Sequence, residues 1–122
     1  MKWAKQSFDI ATEKGARSVD GHVSGPWGLH ESPDGRWVVT HLPSGMVAGR
    51  GWTKAKAMRL AAVMREAVPD EEWAALRNDS PAKIRHDIGA RVMAALAVKN
   101  LDRGADGGPH MRKRYRLNGY AQ

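Results

Sequence analysis

The sequence predicts an α+β fold in which a three- or four-stranded antiparallel meander sheet is followed by two amphipathic helices and one short helix. Three observations predict it. Two turns bearing proline and glycine, Ser32-Pro33-Asp34-Gly35 and Leu42-Pro43-Ser44-Gly45, stand ten residues apart. The run between them, Arg36-Trp37-Val38-Val39-Thr40-His41, has the β-branched and aromatic content of a strand. Beyond Thr53 the apolar residues recur at helical rather than alternate spacing.

In chain order, Phe8-Asp9-Ile10-Ala11-Thr12-Glu13 alternates apolar with polar residues and is expected to add an edge strand, while residues 15–25 read as loop. Strands are expected over 27–31, 36–42 and 46–51. In each turn proline presets its own dihedral and glycine accepts a positive φ. Alternation puts Trp37, Val39 and His41 on one face, and a four-residue turn at 32–35 sets His30 opposite Trp37 on that same face. Thr53 is placed to cap a helix whose buried stripe is Ala57, Leu60, Ala61, Met64 and Val68, with Lys56 and Arg59 on the other side. Pro69 ends it. Asp70 is placed to cap a short helical turn carrying Trp73 and Leu76. Ser80 then caps a third helix with Pro81 at its first position and a stripe of Ile84, Ile88, Val92, Ala95 and Leu96, running to about residue 99. Residues 1–101 are expected to form a single domain, and 102–122 a glycine-rich tether and a flexible basic arm.

A chain of 122 residues holds one core. The absence of cysteine removes disulfides, thiolate nucleophiles and zinc knuckles. No apolar run approaches bilayer length, and Met1-Lys2-Trp3-Ala4-Lys5-Gln6 lacks a signal-like stretch, so a cytoplasmic location and no membrane partner are expected. His22, His30, His41, His86 and His110 show no H-x-x-x-H spacing and no carboxylate in ligand register, so no metal is expected. Ser18, Ser24, Ser32, Ser44 and Ser80 sit in turns or caps, without the setting that activates a hydroxyl. Residues 45–51 are glycine-rich, but no Gly-Lys-Ser/Thr follows to make a phosphate loop. No cofactor and no enzymatic activity are expected. A reaction would fall to His30 or His41 as general base, and neither has a partner in the sequence.

The charge balance points to a partner. Lys plus Arg number 20 against 13 Asp plus Glu, a net +7. Residues 54–101 carry nine cations against six acids, and Met111-Arg112-Lys113-Arg114-Tyr115-Arg116-Leu117 packs four cations and an aromatic into seven residues. Such a segment neutralises phosphates and releases counterions, and its tyrosine can stack on bases.

The order strand, turn, Arg36-Trp37-Val38-Val39, turn with Gly45, strand, and Gly51-Trp52-Thr53-Lys54-Ala55-Lys56-Ala57 opening a helix resembles the amino-terminal arm-binding domains of tyrosine integrases and related plant transcription-factor domains. The resemblance covers about residues 27–68. It implies a three-stranded sheet laid in the DNA major groove and backed by one helix. It also implies that Trp37 and Val39 are core while Arg36, Val38, Thr40 and Arg50 face outward.

Two expectations follow. One is a small nucleic-acid-binding accessory protein of phage or mobile-element type, contacting phosphate through Arg36, Arg50, Lys54, Lys56 and Arg59 and through Arg112, Lys113, Arg114, Tyr115 and Arg116. The other is a protein inhibitor of a host nucleic-acid-handling complex, in general resemblance to anti-CRISPR proteins, with tryptophans as interface anchors: of the five, Trp3 and Trp27 lie outside the expected stripes and are expected to be exposed, and Trp37, Trp52 and Trp73 to be core.

Overall fold

In a computed structural model, residues 1–101 are described. The expected tether and arm at 102–122 lie outside them. A five-stranded antiparallel meander comes first: β1 (Ala4–Thr12), β2 (Gly15–Ser24), β3 (Trp27–Glu31), β4 (Trp37–His41) and β5 (Met46–Gly51), paired in sequence order. Helices α1 (Lys54–Ala67), α2 (Asp70–Ala75) and α3 (Ala82–Val98) follow. The α+β class holds, with five strands instead of three or four.

The additional strand is β2, in the stretch expected to be loop. Its glycines suggested breakers, but only Gly15 and Gly25, with φ of 101° and 55°, serve as turns at its two ends. Gly21 has a different role. A Cβ there would lie 2.2 Å from the Leu29 carbonyl oxygen, so its bare backbone lets β2 press against β3.

That close approach redirects the first hairpin. β1 and β2 pair all the way from Ala4 with Val23 to Thr12 with Gly15, whereas β2 pairs with β3 only at His22, Val23 and Ser24. The hairpin therefore runs past β3, and its Phe8 crosses onto the sheet face away from the helices. A Cβ on Gly28 would meet the Phe8 ring at 2.7 Å and Leu42 Cδ2 at 3.0 Å, so Gly28 makes the room for this crossing.

The main core lies on the other face, and Trp27, expected to be exposed, is fully buried in it because its pairing with His41 sets it facing the helices. Trp27, Leu29 and Val39 pack with Ala57, Leu60, Ala61 and Met64 of α1, Trp73 of α2, and Ile88, Val92 and Leu96 of α3. Thr53 caps α1 as expected, its side chain accepting from Lys56 N–H at 3.1 Å, and the helix ends before Pro69. Asp70 and Ser80 do not cap α2 and α3. Pro69 and Pro81 occupy those positions, Asp70 joins Glu71 and Glu72 in the first turn of α2, and Ser80 Oγ accepts from Arg77 N–H at 2.9 Å. The carboxylates of α2 then face the positive end of its dipole. Ile84 also departs from its expected stripe. It is 49% exposed, on the rim of a hollow beside the six-residue α2, and the buried stripe starts one turn later at Ile88.

The β3–β4 turn corrects the histidine pair. Ser32 N–H donates to the Arg36 carbonyl at 2.8 Å, and Arg36 N–H donates to Asp34 Oδ1 at 3.0 Å. Arg36 is thereby drawn into the loop, which has one residue more than expected. Glu31 pairs with Trp37 and His30 with Val38. A one-residue slip reverses the face of every side chain it moves. His30 therefore stands on the Phe8 face, while His41 pairs with Trp27 on the core face.

Candidate functional site

From residue 35 to residue 65 the chain contains no acid and six cations: Arg36, Arg50, Lys54, Lys56, Arg59 and Arg65. The fold brings the middle of this window together at the junction of β5 with α1. Trp37 pairs with Gly51, so Trp52 and Lys54 emerge beside the start of β4. Lys54 Nζ sits 5.5 Å over the Trp37 ring, and Arg36 Cζ sits 5.7 Å over the Trp52 ring. The two cation–aromatic contacts run in opposite directions between the same two segments, clasping the end of the sheet to the helix. Gly51 makes the clasp close, since a Cβ there would lie 2.7 Å from Ala57 N.

The cations differ in how they are satisfied. Arg36 bonds Asp34 at 2.9 Å, and Arg65 bonds Asp70 at 2.9 Å. Asp34 is held down at about 2 by its hydrogen bond from Ser32 first, then by Arg36. Arg50, Lys54, Lys56 and Arg59 form no ion pair among the described residues. Lys54 Nζ instead lies 3.4 Å from His22 Nε2. Burial lowers the His22 pKa, and Lys54 and then Lys5 lower it further. Lys5 pairs with His22 across β1 and β2, so it joins the same cationic side of the sheet. Lys56 and Arg59 are exposed on α1, three residues apart and therefore neighbours.

The first turn of α1 carries no acid. Two lysines occupy the positive end of that helix, where cations are disfavoured by about 0.3–1 kcal/mol each. Lys56 also stands three residues after the cap Thr53, where a capping box takes Glu or Gln. Local stability argues against lysine at this position, and an external anion would relieve both effects.

Sequence reasoning missed Trp37, Trp52, Lys5 and His22 as members of this cluster. The acid-free window was the signal that would have found the first two. Of the residues that the resemblance to groove-reading sheets expects on the outward face, Val38 and Thr40 are buried, 5% and 1% exposed, and Val38 lines a groove together with Ile10 and Val19 of the first hairpin. Arg36 and Arg50 do lie at the border of that face, Arg50 opposite Val38. Arg112, Lys113, Arg114, Tyr115 and Arg116 lie outside the described residues.

The histidines considered as general bases lie on opposite faces of the sheet. His41 bonds Trp73 O through Nε2 and Ser44 Oγ through Nδ1, and burial holds its pKa below the ordinary value. His30 is also lowered, by burial and then by Arg17. Among the described residues no three metal-ligating side chains converge, and no helix is long and apolar enough to cross a membrane. Comparison with protein-family models, with curated proteins and with solved structures found no match.

Proposed function

We propose that this chain is a small non-enzymatic nucleic-acid-binding accessory protein, of the type phages and mobile elements encode, which binds mainly through phosphate contacts. The observation that carries the reading is the stretch from residue 35 to residue 65, which has no acid in its sequence and in which Arg50, Lys54, Lys56 and Arg59 lack ion pairs among the described residues, Lys54 lying over Trp37 and Arg36 over Trp52. Cations flanking partly exposed aromatics suit a single strand, whose phosphates track the charges while bases stack. The burial of Val38 and Thr40 on the far face of the sheet weighs against insertion of that face into a duplex groove. Arg112, Lys113, Arg114, Tyr115 and Arg116 would extend the contact.

A fluorescently labelled single-stranded oligonucleotide titrated with the full chain at increasing salt tests this. Four phosphate contacts from the described cations give a log–log slope of about −3, and the terminal cations steepen it. An affinity unchanged between low and physiological salt refutes the reading.

A second reading, a protein inhibitor of a nucleic-acid-handling complex, is favoured by one feature. A hollow of about 240 Å³ between β5, α2 and α3 is lined by Met46, Val47, Ile88 and Val92 and flanked by Arg77 and Arg85. Met46 and Val47 are exposed at its mouth. This pattern fits an acidic, apolar segment of a partner. Capture of such a complex from cell extract that persists after nuclease digestion supports the inhibitor, and capture lost on digestion supports direct nucleic-acid binding.

A further inference from the structure

The hollow of about 240 Å³ between β5, α2 and α3 joins an apolar floor to a cationic rim. Trp73, Ile88 and Val92 are buried and form the floor, while Met46 and Val47 are exposed at the mouth. Arg77 and Arg85 supply the rim. Both are exposed, and neither forms an ion pair among the described residues.

The loop between α2 and α3 fixes the two arginines. Arg77 Nη1 donates to the Ala74 and Leu76 carbonyls at 2.6 and 3.0 Å, and Arg85 Nε donates to the Ser80 carbonyl at 2.9 Å. These bonds engage one nitrogen of each guanidinium, which leaves Nε and Nη2 of Arg77 and both terminal nitrogens of Arg85 to donate to a ligand. Among the described residues no acid lines the hollow. With the flanking charges counted as well, Lys83 and Arg91 against Glu72, Asp79 and Asp87, one positive charge remains in excess. Charge therefore selects a monoanion, and the indole and aliphatic floor selects an apolar body behind it.

Gly89 points the same way. It stands in the middle of α3, where glycine is less favourable than alanine, and a Cβ built on it would meet nothing within 4 Å. No packing contact requires a glycine there. Arg85, Ile88, Gly89 and Val92 follow the spacing of one helix face, so the space that the missing side chain leaves open belongs to the hollow.

We infer that this hollow is a binding site for a small carboxylic acid with a single aromatic or branched aliphatic body, its carboxylate held by Arg77 and Arg85 and its body lying on Trp73, Ile88 and Val92 beside Gly89. A volume below the about 300–1,000 Å³ of pockets for drug-sized ligands fits such a body and is too small for a partner's helix or strand. The site is independent of the nucleic-acid reading, and its occupant differs from the partner segment that the inhibitor reading places here.

The test is a nitrogen-edited NMR titration of the full chain with phenylacetate and with 4-methylpentanoate. Saturable shifts are expected at the Val47, Arg77 and Gly89 amides, with 2-phenylethanol, acetate and phenyl phosphate each binding about tenfold more weakly or worse. Arg77→Gln and Arg85→Gln each weaken phenylacetate about tenfold, the loss of a charge-assisted bond, and Lys14→Gln, on the first hairpin, binds as the parent does. Gly89→Leu fills the open space. It abolishes the shifts at Val47 and Arg77 while the melting temperature stays at or above that of the parent, because a helix favours leucine over glycine. No saturable shift with either acid, equal affinity for 2-phenylethanol and phenylacetate, tighter binding of phenyl phosphate, or unchanged affinity in Gly89→Leu or in both arginine variants overturns the site. Shifts of the same amides by an acidic, apolar peptide that phenylacetate fails to displace also overturn it and give the hollow to the inhibitor reading. Lys56→Gln and Arg59→Gln, measured with the oligonucleotide alone, report on the nucleic-acid reading separately.

Discussion

His41 on β4 and Trp73 on α2 are joined by a 2.6 Å hydrogen bond from the imidazole Nε2–H to the Trp73 carbonyl. The carbonyl can only accept, so the ring proton resides on Nε2 and Nδ1 accepts from Ser44 Oγ–H at 2.9 Å. Trp73 in turn donates from its indole nitrogen to the Met64 carbonyl at 3.0 Å. Sheet, α1 and α2 are thereby tied through one buried aromatic group, in which the Trp27 and Trp73 ring centroids lie 4.8 Å apart.

Replacing His41 with alanine leaves the Trp73 carbonyl without its donor and opens space beside two tryptophans. A loss of about 2–4 kcal/mol is expected in urea denaturation followed by tryptophan fluorescence. A loss below about 0.5 kcal/mol, the range of ordinary surface changes, removes His41 from this role.

Acid should unfold the protein in a defined window. His22, His30 and His41 all have pKa values lowered from 6.5, with burial as the first cause in each. The folded state therefore binds fewer protons than the unfolded chain. The histidine contribution is complete above pH 6.5, begins to fall below that value and is lost as pH passes through the lowered folded values. Melting temperature plotted from pH 8 to pH 5 should be level and then decline. A curve that rises on acidification contradicts the assignment.

Gly21→Ala places a methyl group against the Leu29 carbonyl, at a separation the backbone must open to relieve. Destabilisation of about 2 kcal/mol or more is expected, together with faster amide exchange in β1. A variant as stable as the parent would show that the hairpin does not rely on this approach.

Lys56→Glu should act in opposite directions on stability and binding. It completes the capping box with Thr53 and favours the helix dipole, raising stability by about 0.5–1 kcal/mol. It also removes a cation from the stretch that has no acid in its sequence, so oligonucleotide affinity at low salt should fall several-fold. Thermal melting and the salt titration read the two effects on one preparation. Tighter binding by this variant would remove α1 from the interface.

Short-range chemistry was legible in the residues. The bounds of β3 and β5, the Thr53 cap and the stop at Pro69 depend on contacts between near neighbours in the chain, which composition and spacing record directly. The cationic window was equally present, although its clasp with Trp37 and Trp52 needed β4 and β5 to be paired before it could be seen.

Tertiary contact decided the rest. A glycine in an open loop and a glycine under a crossing strand are the same letter, so β2 became visible only when Gly21 and Gly28 met Leu29 and Phe8. One extra loop residue, held by Asp34, sent His30 and His41 to opposite faces. Val38 and Thr40 alternate as an outward pair would, yet they are buried on a face to which the first hairpin brings Phe8, against Gly28, and Ile10 and Val19, which share a groove with Val38. Periodicity along a strand specifies which side chains share a face. It carries no information about what another part of the chain brings to that face, and here Val38 and Thr40 end buried beside an open groove.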